Sequence, residues 1–218
     1  MVYSAANNRA GDPADANGNI GNYTYDIENR IVQVPLTTVQ YAYDAGNKRV
    51  WRGDVNNSID ELAFFGVSGQ KLGTYSVFVN GTTLKFYMTG TRAYLGRKLL
   101  AEGTNVAGNT DHVQLMPVAA DRLGSIGKFY PYGQERPSAT TNDTEKLTGY
   151  YRDASTGLDY ADQRYEQPGV GRFLSPDPNS NSAGLTDPGS WNRYAYVGGD
   201  PINRTDRTIG TRTTGALG

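Results

Sequence analysis

The heaviest constraint on this chain is a unit that occurs twice. Tyr23-Thr24-Tyr25-Asp26-Ile27-Glu28-Asn29-Arg30-Ile31 returns as Tyr41-Ala42-Tyr43-Asp44-Ala45-Gly46-Asn47-Lys48-Arg49-Val50, with one extra residue before Arg49. Tyr-x-Tyr alternation puts both rings on one face of a strand. The Asp opens a turn, Gly or Asn takes its left-handed position, and Arg followed by an aliphatic residue starts the return strand. A period of about 18 residues makes a hairpin that must stack on a neighbour rather than fold alone.

Composition agrees with a chain of hairpins. The 218 residues include 16 Tyr and 27 Gly but only 6 Phe. A tyrosine ring packs on a pleated surface while its hydroxyl stays polar, and glycine supplies turns. The expected fold class is mostly β: antiparallel hairpin repeats with a loop-rich C-terminal part. A net charge of −1 gives no basic footprint for nucleic acid or an anionic membrane. No apolar run reaches the roughly 18–20 residues needed to span a bilayer. With no cysteine, disulfides and thiolate metal sites are excluded.

Further strands are expected at 62–67, 72–79, 83–88, 93–100, 112–118 and 122–126. Asn80-Gly81 marks a tight hairpin. Phe129-Tyr130-Pro131-Tyr132-Gly133 reads as an extended segment entering a turn. Residues 134–146 and 177–190 read as polar loops, and a short helix is expected over 189–194. The organisation expected is two Tyr-Asp hairpins over 1–60, a continuing β-strip over 61–120, a distinct core over 121–206, and a disordered tail over 207–218.

From Asp121 onward, motifs accumulate in order. They are Asp121-Arg122-Leu123-Gly124-Ser125-Ile126, Tyr130-Pro131-Tyr132-Gly133, Lys146-Leu147-Thr148-Gly149-Tyr150-Tyr151-Arg152-Asp153 and Thr156-Gly157-Leu158-Asp159-Tyr160. Then come Arg164-Tyr165, Gly171-Arg172-Phe173, Ser175, Asp177-Pro178 and Asn192-Arg193-Tyr194-Ala195-Tyr196-Val197. This series resembles the RHS/YD-repeat-associated core domain of bacterial toxin-complex C subunits and polymorphic toxins. The resemblance implies a β-shell, or cocoon, that the core closes as an inward-spiralling plug around a C-terminal toxin or cargo polypeptide. Complete members are far longer, so the chain resembles a C-terminal fragment whose partners are the rest of a shell or another copy of itself, with the cargo absent. The resemblance implies a bacterial source and leaves localisation open; no cofactor is implied.

Some members of that family cut themselves after the core, through a pair of aspartates sharing one proton. The resemblance places these at Asp177 and Asp187, with Arg172 in support, and puts the cleavage region at Asp206, Arg207 and Gly210. Here Asp177-Pro178-Asn179-Ser180 lacks the family's glycine, and Arg207 stands where the family has proline. A loop presenting one peptide bond tolerates little misplacement, so the aspartates also read as turn residues beside proline. A third reading, by analogy with teneurins, is a module that binds carbohydrate or cell surfaces. His112, the only histidine, reads as a half-buried strand residue. Residues 54–61 lack the glycine and the spacing of a calcium loop.

Overall fold

A computed structural model describes residues 14–56, 58–96, 98–106, 109–137, 141–178 and 188–204. Nine strands form one antiparallel meander in sequence order. They are β1 (Thr24–Tyr25), β2 (Ile31–Val34), β3 (Val39–Tyr43), β4 (Arg49–Asp54), β5 (Ile59–Phe65), β6 (Lys71–Asn80), β7 (Thr83–Leu95), β8 (Lys98–Val106) and β9 (Asn109–Pro117). Five short strands form a second antiparallel sheet: β10 (Thr144–Glu145), β11 (Tyr151–Arg152), β12 (Asp159–Ala161), β13 (Arg164–Gln167) and β14 (Arg172–Phe173). The chain is mostly β, and among the described residues its two antiparallel sheets are open, with no closed barrel.

The hairpins turn as the sequence implies. In the first repeat the Asp26 N–H donates to the Arg30 carbonyl at 3.0 Å, and Asn29 sits at φ 61°. One carboxylate oxygen of Asp26 accepts the N–H groups of Glu28 and Arg30 at 3.0 and 2.9 Å. Asp44 does the same for Gly46 and Lys48, both at 2.8 Å, with Asn47 at φ 65°. The same turn recurs at Asp15–Asn19 and at Asp121–Ser125. The last case corrects the strand expected over 122–126: Asp121 bonds the N–H groups of Leu123 and Ser125, which closes the backbone into a turn. Two further boundaries move. β7 does not stop at Met88 but runs on to Leu95 past a register shift opposite Thr74–Tyr75, and the strand expected over 93–100 is split by the hairpin into β8. The polar loop over 134–146 ends in β10, whose Glu145 is buried. The helix expected over 189–194 is one 3-10 turn, Pro188–Trp191. The expected tail lies outside the described residues.

The two sheets meet over tyrosines. Tyr41 stacks on Tyr165 with ring centroids 5.4 Å apart, and Tyr160 lies 5.3 Å from Tyr165. Ile31, Val34, Val39, Tyr151 and Leu158 complete this core. A smaller cluster of Leu147, Tyr150, Phe173 and Tyr196 is also buried. At the centre of the tyrosine core lies a charge. Arg49 is 4% exposed and Asp153 is fully buried. They pair through both guanidinium Nη atoms, at 2.7 and 2.9 Å. The Arg49 Cζ lies 4.5 Å from the Tyr160 ring centroid and 4.8 Å from that of Tyr41, with Tyr151 and Tyr165 at 5.5 and 5.8 Å. Asp153 also accepts the Tyr41 hydroxyl at 2.7 Å and an Arg52 N–H at 3.2 Å. Burial pushes the Asp153 carboxyl up, but Arg49 and Arg52 outweigh it and hold the carboxyl below its ordinary 3.8. Its stabilisation is therefore present above that pH and is lost as the pH falls further.

Lys71, at the start of β6, shares this interface. Its Nζ lies 3.8 Å from the Tyr151 ring centroid. Burial lowers its pKa to about 7, reinforced by Arg92 and Arg49 and only partly offset by Glu61 and Asp153.

Two outcomes follow from these charges. Removing one partner of the pair, by Arg49→Met or Asp153→Asn, strands the other inside the protein and costs about 3–5 kcal/mol in urea unfolding. The double variant Arg49→Met/Asp153→Leu recovers much of that loss, because apolar side chains of similar size replace both ions. For Lys71, the unfolded chain holds a proton up to pH 10.5 that the folded protein releases near 7. Stability therefore rises by about 1.4 kcal/mol per pH unit through that window from this group. In Lys71→Met the rise disappears and stability at pH 6.5 increases, as read by urea midpoints taken below the phenol range.

Candidate functional site

The Asp turns form a ladder, and the ladder leads to the site. The fifth residue of each turn bonds the left-handed fourth residue of the next. Asn19 Nδ2 donates to Asn29 Oδ1 at 2.9 Å, and Arg30 Nη1 donates to Asn47 Oδ1 at 2.5 Å. Lys48 then pairs with Asp162, itself at φ 69° in the β12–β13 turn, so the ladder crosses from the large sheet to the small one. The second tyrosine of each repeat follows the same rule. The Tyr25 hydroxyl donates to the Ile20 carbonyl at 2.7 Å and that of Tyr43 to the Ile31 carbonyl at 2.6 Å, in each case the residue just after the preceding turn. At the near end stands Gly18, whose carbonyl accepts the Tyr194 hydroxyl at 2.7 Å. A Cβ on Gly18 would lie 2.5 Å from that hydroxyl oxygen, so the position has no room for a side chain.

A cleft of about 410 Å³ opens along this ladder. The turns supply Glu28, Asn29, Arg30 and Asn47; β13 and its turn supply Gln163 and Arg164; the segment after β14 supplies Ser175 to Pro178; Arg193 closes it. Asp177 is half-buried on this wall. Its N–H donates to the Arg193 carbonyl at 2.9 Å, and the Arg193 guanidinium donates back to the Asp177 carbonyl. Arg164 Nη2 stands 3.8 Å from the Asp177 carboxylate while its Cζ packs 3.7 Å from the Phe173 ring centroid. A carboxylate beside the Arg164 guanidinium can accept from a water or a peptide N–H, and guanidinium groups can polarise a carbonyl.

Of the residues singled out from sequence, Asp177 lies in the cleft. Arg172 lies on β14, its Cζ 5.2 Å from the Tyr194 ring centroid. Asp187, Asp206, Arg207 and Gly210 lie outside the described residues. The cations that line the cleft with Asp177 are Arg30, Arg164 and Arg193. Arg164 and Arg193 belong to the Arg164-Tyr165 and Asn192-Arg193-Tyr194-Ala195-Tyr196-Val197 motifs, and Arg30 closes the turn of the first repeat. Glu28, a second carboxylate on the wall, is paired with Arg30 at 2.9 Å. Among the described residues no cluster of three or more His, Cys, Asp or Glu side chains is placed to hold a metal, and no helix is long and apolar enough to cross a membrane.

No protein-family model matches the chain. Curated proteins do. The chain is 26% identical over 197 residues to the tRNA nuclease WapA of Bacillus subtilis (strain 168), covering 84% of this chain. It is 28% identical over 203 residues to the tRNA3(Ser)-specific nuclease WapA of Bacillus spizizenii, again over 84% of this chain. It is 39% identical over 88 residues, 38% of the chain, to the toxin subunit YenC2 of Yersinia entomophaga. In each case the match spans 8% of the relative's length. Among solved structures, TcdB2-TccC3-Cdc42 matches at TM-score 0.47 and 18% identity, covering 84% of this chain and 10% of that one. A Photorhabdus luminescens Tc holotoxin pore matches at TM-score 0.45 and 16% identity, covering 88% and 11%. In sequence, the chain is thus similar to a bacterial toxin subunit and to bacterial tRNA nucleases.

Proposed function

We propose that this chain is a closing section of an RHS-type β-shell that encloses a C-terminal toxin or cargo polypeptide. In this reading residues 1–60 and 61–120 are shell strip and 121–206 is the plug. Whatever nuclease or toxin activity the relatives carry is placed outside the stretch that this chain matches.

The observation that carries the reading is how the C-terminal segment returns onto the sheets. The Phe173 N–H donates to the Tyr194 carbonyl at 2.9 Å, and the Tyr196 N–H to the Gly171 carbonyl at 3.2 Å. Tyr196, 1% exposed, packs with Leu147, Tyr150 and Phe173, while the Tyr194 hydroxyl reaches Gly18. One short segment thus stitches the small sheet to the first turn of the large one. A segment fixed in this way would serve as the seal that a shell end requires. The sequence similarity to YenC2 supports the same reading.

A graft tests it. With this chain in place of the matching region of YenC2, a polypeptide fused after the core is expected to stay protected from added protease, as in the parent. Protection in the parent and full digestion in the graft, with the shell intact by electron microscopy, would overturn the reading.

The alternative is an aspartyl autoprotease that cuts after the core, with Asp177 on the cleft wall as one carboxylate and Asp187 as its partner. Under enclosure alone the purified chain keeps its full 23.7 kDa over days of incubation. A product ending within residues 206–212 that vanishes in Asp177→Asn, read by intact mass, would establish the cutting role.

A further inference from the structure

The ring of Tyr151 gathers cations from the large sheet. The Lys71 Nζ lies 3.8 Å from its centroid, the Arg49 Cζ 5.5 Å and the Arg92 Cζ 5.9 Å. The carboxylates nearby are already engaged. Asp153 pairs with Arg49 and Arg52, while Glu145 stands 3.1 Å from Arg92 Nε and accepts the Tyr94 hydroxyl at 3.2 Å. Among the described residues no carboxylate or carbonyl pairs with the Lys71 Nζ, and the ring is the contact it makes.

Arg92 is short of an acceptor in the same place. Its side chain is 6% exposed, and its buried Nη1 has no hydrogen-bond partner among the described residues. Lys71 itself is anchored: it opens β6 opposite Phe65, and its carbonyl accepts the Tyr94 hydroxyl at 3.1 Å. Its side chain is half-buried, so a small solute can reach the nitrogen. An amine desolvated beside other cations gives up its proton and becomes a nucleophile. Burial, Arg92 and Arg49 outweigh Glu61 and Asp153 here, and Glu145 also faces the amine. The other lysines differ: Lys48 is paired with Asp162, Lys146 with Glu135, and Lys85 is exposed.

We propose that Lys71 is a carbamylation site, where the Nζ takes up dissolved carbon dioxide and the resulting carbamate pairs with Arg92. The nitrogen lone pair forms a bond to the carbon, one C=O π pair moves onto oxygen, and an N–H proton leaves to water. No oxidant or further reactant is needed. A neutral or cationic group is thereby replaced by an anion beside two arginines. The carbamate has the flat, two-oxygen shape that a guanidinium binds best, and it meets the Nη1 that lacks a partner. Carbon dioxide is the smallest electrophile that supplies such an anion, which suits a site between two packed sheets.

The full chain in isotopically labelled bicarbonate, at about pH 8, is expected to show a carbamate carbon by NMR. The signal is lost in Lys71→Met and kept in Lys85→Arg, while the α-amino group gives a signal common to all three. Unfolded lysines stay protonated at this pH, so uptake favours the folded state. Bicarbonate at constant ionic strength therefore raises the urea midpoint of the wild type and not of Lys71→Met. Arg92→Gln, checked for folding by the same midpoints, weakens the carbamate signal severalfold. A wild type with only the α-amino signal overturns the proposal, and so does a signal unchanged in Lys71→Met. A midpoint rise without a carbamate signal marks a loosely held anion and overturns it too. An undiminished signal in folded Arg92→Gln overturns the pairing.

Discussion

Everything else in this molecule is arranged around the Arg49–Asp153 pair. A lone charge in that position would be intolerable, and a pair in an aliphatic core would gain little over the cost of stripping both ions of water. The chain solves this with tyrosine. Each ring offers an electron-rich face to the guanidinium and a hydroxyl to the carboxylate, so one residue type solvates both ions. Tyr41 does both at once, stacking beside Arg49 and donating to Asp153. This gives Tyr41, Tyr151, Tyr160 and Tyr165 a physical reason. They replace the Leu and Phe of an ordinary core because the core holds ions, and the phenol protons are held more firmly for being buried there.

Because Arg49 comes from a repeat in the large sheet and Asp153 from the turn between β11 and β12, the pair also fixes how the sheets sit on one another. The neighbouring contacts repeat the logic closer to solvent. Arg52 reaches Asp143 at 2.6 Å, and Arg92 reaches Glu145 at 3.1 Å. Cations stand on the large sheet and carboxylates on the small one. A slip of one residue would turn every one of these side chains to the other face. Such an interface specifies one arrangement more sharply than apolar packing alone.

The local rules of this fold are written in the sequence and the long-range ones are not. The left-handed sites at Asn29 and Asn47 can be read directly, since few residues other than Gly, Asn or Asp accept that geometry. The same turn at Asp121 was obscured because Arg122-Leu123 and Ile126 look like strand, while the deciding bonds run to a carboxylate. β7 runs past its expected end at Met88, and the need for a glycine at Gly90 lies across the sheet, at Thr74. Asp177 could be found from its motif, but Arg164 and Arg193 become its neighbours only after two turns of chain have folded back. No spacing within one strand encodes that distance.

The ladder of turns has a consequence for how such chains change over generations. The contact that joins one hairpin to the next, fifth residue to fourth, has the same form as the contact from Lys48 to Asp162 that joins one sheet to the other. The joint at Lys48 therefore uses the same kind of contact as the steps before it, while Gly18 and Ile20 of the first turn meet the returning segment directly. A repeat added or removed as a unit carries its own fifth-to-fourth contact with it, and the extra residue before Arg49 falls after the turn, where it leaves that contact intact. Length in this architecture is quantised, and its unit is the hairpin.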